Sequence, residues 1–239
     1  MTGGLIKIIS IFKSIDGEAY HAGLPTIFLR TYGCNLRCTY CDTRESWDME
    51  VYKGLYKEPL RELSSEDAFE EIRKLDSRIK HVTITGGEPL LPENQGWMKA
   101  LTAHLIAQDY EVDFETNGAV DLKEMAAWRL SLGLYGNRVH FIMDWKCPGS
   151  KMLAKMIPSN LELLGPTDVV KCVVTDGDFD EVLNLRGRTP GYVPIYISPV
   201  FENVRMASIP EFVLEHPDLN FRCQLQQHKF FWNKNTVNV

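Results

Sequence analysis

The sequence predicts an α/β fold, specifically an incomplete (β/α)6-type partial barrel built on a parallel sheet. Its 239 residues, 44% of them hydrophobic, can bury a full core and fall within the usual size range of one domain. Short β-branched runs recur along the chain, and helical patterns lie between several of them, which is typical of a parallel sheet. About six repeats rather than eight favour an incomplete barrel, although a doubly wound sheet would give the same order of elements.

Seven short runs rich in β-branched residues are predicted as strands. They cover residues 26–31, 81–85, 110–115, 139–144, 168–174, 194–198 and 220–225. The first predicted helix has Ser65 as its N-cap, carries Glu66 and Asp67 in its first turn and ends at Leu75. Further helices are predicted at residues 95–107, 122–130, 178–184 and 209–215. Residues 44–63 are irregular and polar, which indicates a lid or insertion within a single domain spanning residues 1–239.

Composition excludes several classes of protein. The net charge of -6 and the pI near 5.6 argue against a broad electrostatic grip on nucleic acid, while a small anionic substrate is compatible with them. We find no apolar run approaching the ~18 residues of a membrane span, so we expect a cytoplasmic protein without a membrane partner. Three of the six cysteines crowd into eight residues, which indicates metal ligation in a reducing compartment. Cys147, Cys172 and Cys223 are scattered and are interpreted as small core residues.

The cysteine cluster places Cys34, Cys38 and Cys41 in one loop, with C-x3-C-x2-C spacing, directly after a predicted strand. Structural zinc and ordinary ferredoxin clusters use four protein ligands, whereas three cysteines around a cubane leave one iron open. The alternative is a zinc loop completed by His21 or Asp42. The spacing, with the aromatic Tyr40 before the last cysteine, resembles the radical S-adenosylmethionine (SAM) superfamily, in which SAM occupies the open iron of a 4Fe-4S cluster.

This resemblance implies radical chemistry: an electron from a flavodoxin- or ferredoxin-type donor cleaves SAM, and the 5′-deoxyadenosyl radical takes a substrate hydrogen. Polar and glycine-rich motifs at later strand ends are the candidate SAM contacts. The predicted cofactor-binding residues are Tyr40, Asp42, Gly86, Gly87, Glu88, Glu115, Asn117, Asp144, Trp145, Lys146 and Ser198. The competing interpretations are plain turns at the Gly-Gly and Asn-Gly pairs and a surface salt bridge between Asp144 and Lys146.

The flanking sequences narrow the resemblance. Residues 14–19 and 28–33, Asp42-Thr43 with Trp47, residues 198–201 and residues 224–229 together resemble the 7-carboxy-7-deazaguanine synthase family. The resemblance implies conversion of 6-carboxy-5,6,7,8-tetrahydropterin to 7-carboxy-7-deazaguanine with loss of ammonia, on a route to queuosine or another deazapurine. It also implies catalytic use of SAM and a homodimer.

A reduced pterin presents a donor edge suited to a carboxylate such as Glu18, and its own carboxylate suits a guanidinium such as Arg30. With the contacts that the resemblance implies, the predicted substrate-binding residues are Ile15, Asp16, Gly17, Glu18, Arg30, Thr85, His228 and Val239. A surface Glu18, an Arg30 extending from a strand end, a core His228 and a frayed terminus are the structural alternatives.

The resemblance also assigns Mg²⁺ to Thr43, where the alternative is a capping threonine. The chain departs from the family pattern at two places. It has Asp16-Gly17-Glu18-Ala19 where the family has Gln-Gly-Glu-Gly, and it ends Val237-Asn238-Val239 where relatives often end Arg-Gly-Val. Two other functions compete with this interpretation. A glycyl-radical activating enzyme is disfavoured because there is no second tight cysteine cluster, and a non-catalytic zinc-binding module would be indifferent to SAM.

Overall fold

The computed structural model describes residues 4–201, 204–233 and 236–239, and its nine strands in those ranges form one sheet. The strands are β1 Ile6–Ile15, β2 Pro25–Thr31, β3 Arg61–Leu63, β4 His81–Gly86, β5 Glu111–Thr116, β6 Val139–Asp144, β7 Val169–Val174, β8 Ile195–Pro199 and β9 Phe221–Cys223. The sheet order is β3-β1-β2-β4-β5-β6-β7-β8-β9. Strands β2 and β4 to β9 are parallel, whereas β1 runs antiparallel to both β2 and β3.

Seven helices accompany the sheet in the described ranges. They are α1 Met49–Leu55, α2 Ser65–Leu75, α3 Gln95–Ile106, α4 Lys123–Ser131, α5 Phe179–Arg186, α6 Ser208–Glu215 and α7 His228–Phe231. Helices α2 to α6 contribute Ile72, Leu101, Met125, Val182 and Phe212 to the same hydrophobic core as the strands. Within those ranges the sheet does not close on itself, so the predicted α/β fold with an incomplete barrel is confirmed.

In strand β7 the two faces of the sheet have different roles, one in the hydrophobic core and one in a cavity. Successive side chains of a strand point to opposite faces. Val170, Cys172 and Val174 are fully buried in the core, whereas Lys171 and Val173, which alternate with them, line a cavity. One face of β7 therefore packs into the hydrophobic core with the helices, and the opposite face lines the cavity.

Several sequence predictions need correction. Strand β1 was missed because most of its residues are buried without a clean alternation of apolar and polar side chains. Helix α2 is capped by Ser64 rather than Ser65, since the Ser64 hydroxyl accepts the Asp67 amide at 3.1 Å. Cys223 is exposed and is not a core residue.

The prediction of an irregular segment at residues 44–63 is also wrong in part. It contains a 3-10 turn at Arg44–Ser46, helix α1 and the edge strand β3. Asp48 starts α1 by accepting the amides of Glu50 and Val51, a local capping signal that the polar composition concealed. The last predicted strand is shorter than expected: β9 stops at Cys223, and the chain then forms α7.

Candidate active site

A cavity of about 740 Å³ lies where the parallel strands end. Parallel strands present their carboxyl ends at one edge of a sheet, so motifs that are distant in sequence meet there. The predicted site residues that line this cavity are Ile15, Asp16, Gly17, Glu18, Arg30, Cys34, Cys38, Tyr40, Cys41, Asp42, Thr43, Thr85, Gly86, Gly87, Glu115, Asn117, Asp144, Lys146, His228 and Val239. Glu88, Trp145 and Ser198 are not among the lining residues.

The three cysteines of the loop after β2 are half-buried and share this cavity. The Cys41 sulfur accepts the Trp47 indole N–H at 3.5 Å, and the Cys34 sulfur accepts the Leu36 amide at 3.4 Å. Burial raises the pKa of Cys34, and it raises the pKa of Cys38 to about 11. Thiolates in this setting need a positively charged partner, which iron would supply.

The spacing of the sulfurs separates a zinc loop from a larger cluster. Zinc, with Zn–S bonds of ~2.3 Å, would draw its sulfurs to about 3.8 Å of one another. Among the residues that the structure describes, the triplets of ligand atoms gathered within 4.8 Å both include His21, and neither includes a cysteine. His21 lies against Asp113 instead, and Asp42 pairs with Lys229 at 2.9 Å. The three cysteine sulfurs are therefore not preset at the spacing that zinc would impose.

The Gly86-Gly87 pair is required by the backbone that it touches. Gly86 has a φ of +123°, and a Cβ on it would lie 2.3 Å from the Thr31 carbonyl oxygen. A Cβ on Gly87 would lie 1.9 Å from the Gly33 carbonyl oxygen. The Glu88 amide donates to that same oxygen at 2.7 Å, so the glycine-rich motif is fixed directly on the cysteine loop.

Glu88 is buried below the cavity and supports its wall. It accepts the Asn117 amide at 2.6 Å, the Leu90 amide at 2.9 Å and the Thr116 hydroxyl at 2.8 Å, which ties the ends of β4 and β5 together. Burial raises its pKa to about 7. Trp145 is buried as well, and its indole N–H donates to Glu181 on α5 at 2.9 Å.

Lys171 on β7 organises the charges of the cavity. Its ammonium lies 2.8 Å from Glu18, 3.3 Å from Glu115 and 3.9 Å from Asp144. Burial acts to raise the pKa of Glu18, but Lys171 outweighs it and holds that pKa below its ordinary value. The pKa of Glu115 is raised because burial and the neighbouring Glu18 carboxylate outweigh Lys171. The two neighbouring carboxylates therefore differ, since the pKa of Glu18 is held below its ordinary value and that of Glu115 above it.

Asp144 and Lys146 form a pair 2.8 Å apart, and both side chains are mostly buried. The predicted alternative of a surface salt bridge is therefore wrong, because both residues line the cavity. The other oxygen of Asp144, Oδ1, is buried without a hydrogen-bond partner. This oxygen is free to accept a donor from a ligand.

The chain segment after β9 packs onto the loop that carries Glu18. The Gln226 side-chain amide donates to Glu18 at 2.9 Å, and the Gln227 backbone amide donates to the Gly17 carbonyl at 3.3 Å. A Cβ on Gly17 would come within 3.0 Å of His228 Nδ1, so glycine allows this approach. Val239 also reaches the cavity lining.

Thr43 stands next to the cysteine loop, with its hydroxyl 3.9 Å from the Cys41 sulfur. It occupies the N-cap position of the Arg44–Ser46 turn, yet its side chain makes no capping hydrogen bond. The capping interpretation therefore lacks its contact, and the hydroxyl is available at the cavity wall.

Comparison with known proteins decides the family. The radical SAM superfamily profile matches residues 28–141. The 7-carboxy-7-deazaguanine synthase of Clostridium acetobutylicum is 33% identical over 98% of this chain and 99% of its own length. The chain belongs to the 7-carboxy-7-deazaguanine synthase family. The synthase of Methanospirillum hungatei is 34% identical over 94% of this chain and 85% of its own length.

One solved structure has the same fold as this 7-carboxy-7-deazaguanine synthase family protein. QueE from Escherichia coli superimposes with a TM-score of 0.63 at 22% identity, covering 92% of this chain and 93% of that one. As a radical SAM lyase, the chain uses a 4Fe-4S cluster and SAM, acts on a small molecule and needs a reductant. The glycyl-radical activating enzyme and the non-catalytic zinc module are therefore set aside. No helix in the described ranges has both the length and the apolar character needed to cross a membrane.

Sequence reasoning missed three side chains that line the cavity of this 7-carboxy-7-deazaguanine synthase family member. They are Lys171, Gln226 and Lys229, which hold Glu18 and Asp42 in place. A signal for Lys171 was visible, because it is the one charged residue in the otherwise apolar run Val169–Val174. The roles of Gln226 and Lys229 depend on the tertiary packing of the C-terminal segment, which no local pattern reveals.

Proposed function

We propose that this enzyme converts 6-carboxy-5,6,7,8-tetrahydropterin to 7-carboxy-7-deazaguanine with loss of ammonia, using SAM catalytically and Mg²⁺. One observation carries the proposal: a single cavity is lined by the cysteine loop and by Glu18, Lys171 and Arg30. Full-length relatives named 7-carboxy-7-deazaguanine synthase support the identity of the product.

Glu18 suits the donor edge of the pterin because Lys171 keeps its carboxylate ionised inside a mostly buried site. A charged acceptor of this kind forms stronger hydrogen bonds than a neutral one. Arg30 forms no ion pair within 4.0 Å among the described residues, although its charge acts on Asp42 and Glu45, and it lines the same cavity, where its guanidinium can bind the substrate carboxylate. Ile15, Asp16, Gly17, Thr85, His228 and Val239 complete the proposed substrate contacts.

The remaining lining residues would hold the cofactors. Cys34, Cys38 and Cys41 would hold the cluster, which together with bound SAM supplies a 5′-deoxyadenosyl radical. The Tyr40 hydroxyl donates to the Val173 carbonyl at 2.9 Å, which fixes the cysteine loop to the end of β7. Proposed SAM contacts are Tyr40, Asp42, Gly86, Gly87, Glu115, Asn117, Asp144 and Lys146, with Glu88, Trp145 and Ser198 acting from behind the lining.

Thr43 is the proposed protein ligand of Mg²⁺, with substrate oxygens and water completing the shell. Its hydroxyl faces the cavity without a capping bond. The metal would orient the substrate carboxylate. We further propose, on the family resemblance, a cytoplasmic homodimer on the route to queuosine or another deazapurine, reduced by a flavodoxin- or ferredoxin-type protein.

The test is anaerobic incubation with carboxytetrahydropterin, SAM, Mg²⁺ and a reductant, followed by mass analysis of the product. Removing a charged partner from a closed site costs roughly 2 to 5 kcal/mol. Glu18→Gln and Arg30→Ala should therefore lose product formation at least about thirtyfold while still cleaving SAM without turnover. Glu50→Gln, a change on the exposed α1 surface, is the matched control. Absence of a deazaguanine mass with wild-type enzyme would refute the proposed reaction.

A further inference from the structure

A second cluster of chemically active side chains lies at the opposite edge of the sheet, where the parallel strands begin. His81 and Glu111 are register partners at the start of β4 and β5, and Asp113 and His140 are partners on β5 and β6. His21, from the 3-10 turn Ala19–His21, approaches the same point. None of these five residues lines the cysteine cavity.

The ligand atoms of three of these residues converge. His21 Nδ1 lies 2.8 Å from Asp113 Oδ2, and His81 Nε2 lies 3.1 Å from the same oxygen. All three atoms lie within 4.8 Å of one another. A tetrahedral ion with bonds of 2.0–2.1 Å would hold such atoms about 3.3 Å apart, so a small opening of the cluster accommodates it.

Hydrogen bonding accounts for only part of this arrangement: His21 Nδ1 and Asp113 Oδ2 are hydrogen-bonded at 2.8 Å, but other polar atoms of the cluster have no partner. His81 is 7% exposed, and neither of its ring nitrogens has a hydrogen-bond partner despite the short approach to Asp113. Asp113 Oδ1 and both ring nitrogens of His140 are likewise buried and without partners. Buried polar atoms are normally paired, so several unpaired ones around one carboxylate point to a missing ligand.

We propose that His21, His81 and Asp113 bind one divalent cation of the zinc class. Two imidazoles and one carboxylate are a donor set typical of zinc, whereas magnesium and calcium prefer oxygen ligands alone. Three protein ligands leave a fourth position. Water can occupy it, whereas Glu111 cannot, because Glu111 lies 3.5 Å from His21 Nε2, on the opposite side of the ring from the ligating Nδ1.

The cation has a route to this site. A second cavity, of about 730 Å³, is lined by His21, His81 and Glu111 and opens at the surface between the starts of β2 and β5.

The bound cation would act structurally. It would join the turn before β2 to strands β4 and β5. His81 Nδ1 lies 4.0 Å from Asp16, which in turn accepts the Thr83 hydroxyl at 2.8 Å. Asp16 begins the loop that carries Glu18, so the cation would also stiffen the floor of the cysteine cavity.

The test uses the holoenzyme with its cluster reconstituted, so that the three cysteines are occupied before zinc is added. After equilibration with Zn²⁺ and gel filtration, elemental analysis should find one zinc per chain. Zinc-edge X-ray absorption should show nitrogen and oxygen neighbours at about 2.0–2.1 Å. Zinc should also raise the melting temperature, because it binds only the folded chain.

Two variants and one control decide where the zinc lies. His21→Ala and Asp113→Asn should each lose the bound zinc and the rise in melting temperature, whereas His104→Ala, which changes an exposed histidine on α3, should keep both. His21 lies in a turn and its side chain is 19% exposed against 2% for Asp113, so its variant remains informative if Asp113→Asn fails to fold. A wild-type protein that retains no zinc, a sulfur neighbour at about 2.3 Å, or full stoichiometry in His21→Ala would overturn the proposal.

Discussion

Two buried charge clusters in this chain differ in how completely their acceptors are used. Asp168 is fully buried and accepts both guanidinium nitrogens of Arg129 at 2.6 and 2.8 Å, together with the amides of Phe141 and Gly165 at 2.8 and 2.6 Å. Lys171, in contrast, is shared among three carboxylates, and the Oδ1 atom of Asp144 has no hydrogen-bond partner.

The difference separates a structural pair from a binding site. Each of the two Asp168 carboxylate oxygens accepts two hydrogen bonds, so the Asp168 cluster has no acceptor left for a ligand. The Lys171 cluster lines an open cavity and keeps unused acceptors next to a fixed positive charge. Burial of charge alone therefore does not mark function, whereas burial with unused hydrogen-bonding capacity does.

The largest effect should follow from breaking the saturated pair. Asp168→Ala leaves the Arg129 guanidinium buried without its partner, which costs about 3–5 kcal/mol. Urea denaturation should show this loss in the free energy of unfolding. Glu124→Ala, which removes an exposed carboxylate paired with Lys99, is the control and should change stability by less than about 1 kcal/mol. Equal losses in the two variants would contradict the structural role of Asp168.

Glu88 sharpens the comparison because it accepts three hydrogen bonds without a cation beside it. Its pKa is raised from 4.5 to about 7 by burial, so the folded state holds this proton more tightly than the unfolded chain. The resulting stabilisation is complete below about pH 4.5 and is lost as pH rises through 7. The wild-type advantage over Glu88→Gln should fall by about 3 kcal/mol across that window. A pH-independent difference between the two proteins would show that Glu88 does not titrate there.

Sequence reasoning did not single out Arg129 or Asp168, and it found the carboxylates of the open cluster without Lys171. Strand and helix periodicity located most elements, and the cysteine spacing located the cavity wall, because both signals are local. The Arg129–Asp168 pair joins α4 to the residue before β7, and Lys171 meets Glu18 across the sheet. Such contacts depend on register and on sheet curvature, which a single sequence does not specify.

Local chemistry also misled in places. Gly86 and Gly87, predicted as cofactor contacts, also have a structural role that the motif did not reveal, because the backbone of Thr31 and Gly33 occupies the space that their side chains would need. Ser64 and Ser65 are equally good caps by composition, and only the amide geometry chooses Ser64. His81 on β4 and His140 on β6 form no sequence motif, because only the strand register places them beside Glu111 and Asp113 of β5.

Breaking the open cluster should affect activity more than stability. Lys171→Met leaves Glu18 and Glu115 without their cation, but both carboxylates line the cavity and can take up protons there, so we expect a stability loss below the roughly 3–5 kcal/mol of Asp168→Ala. The pKa of Glu18 should rise once Lys171 no longer lowers it. Product formation should fall at least about a hundredfold, and its remaining pH profile should shift to higher pH. Lys155→Met, at an exposed position away from the cavity, should leave both measurements unchanged. A loss of stability as large as that of Asp168→Ala would remove the distinction between the two clusters.

The smallest effect on stability is expected at the cavity mouth, where Lys229 lies 2.9 Å from Asp42. Although burial acts to raise the pKa of Asp42, Lys229 holds it at about 2. Half of the Asp42 side chain is exposed, so Lys229→Met should change the free energy of unfolding by less than about 1 kcal/mol.

Magnesium gives this variant a second measurement. Lys229→Met leaves the Asp42 carboxylate uncompensated next to Thr43, the proposed Mg²⁺ ligand. At ~4 Å in water a unit negative charge and a divalent cation interact by about 2 kcal/mol before salt screening, so the half-saturating Mg²⁺ concentration in the product assay should fall at least about fivefold. Lys53→Met removes a lysine from a similar surface pair, with Glu50 on α1, and should leave the magnesium titration unchanged. If Lys229→Met gives the wild-type titration, the charge of Asp42 does not act on the metal, and Lys229 serves only to hold the C-terminal segment against the cavity.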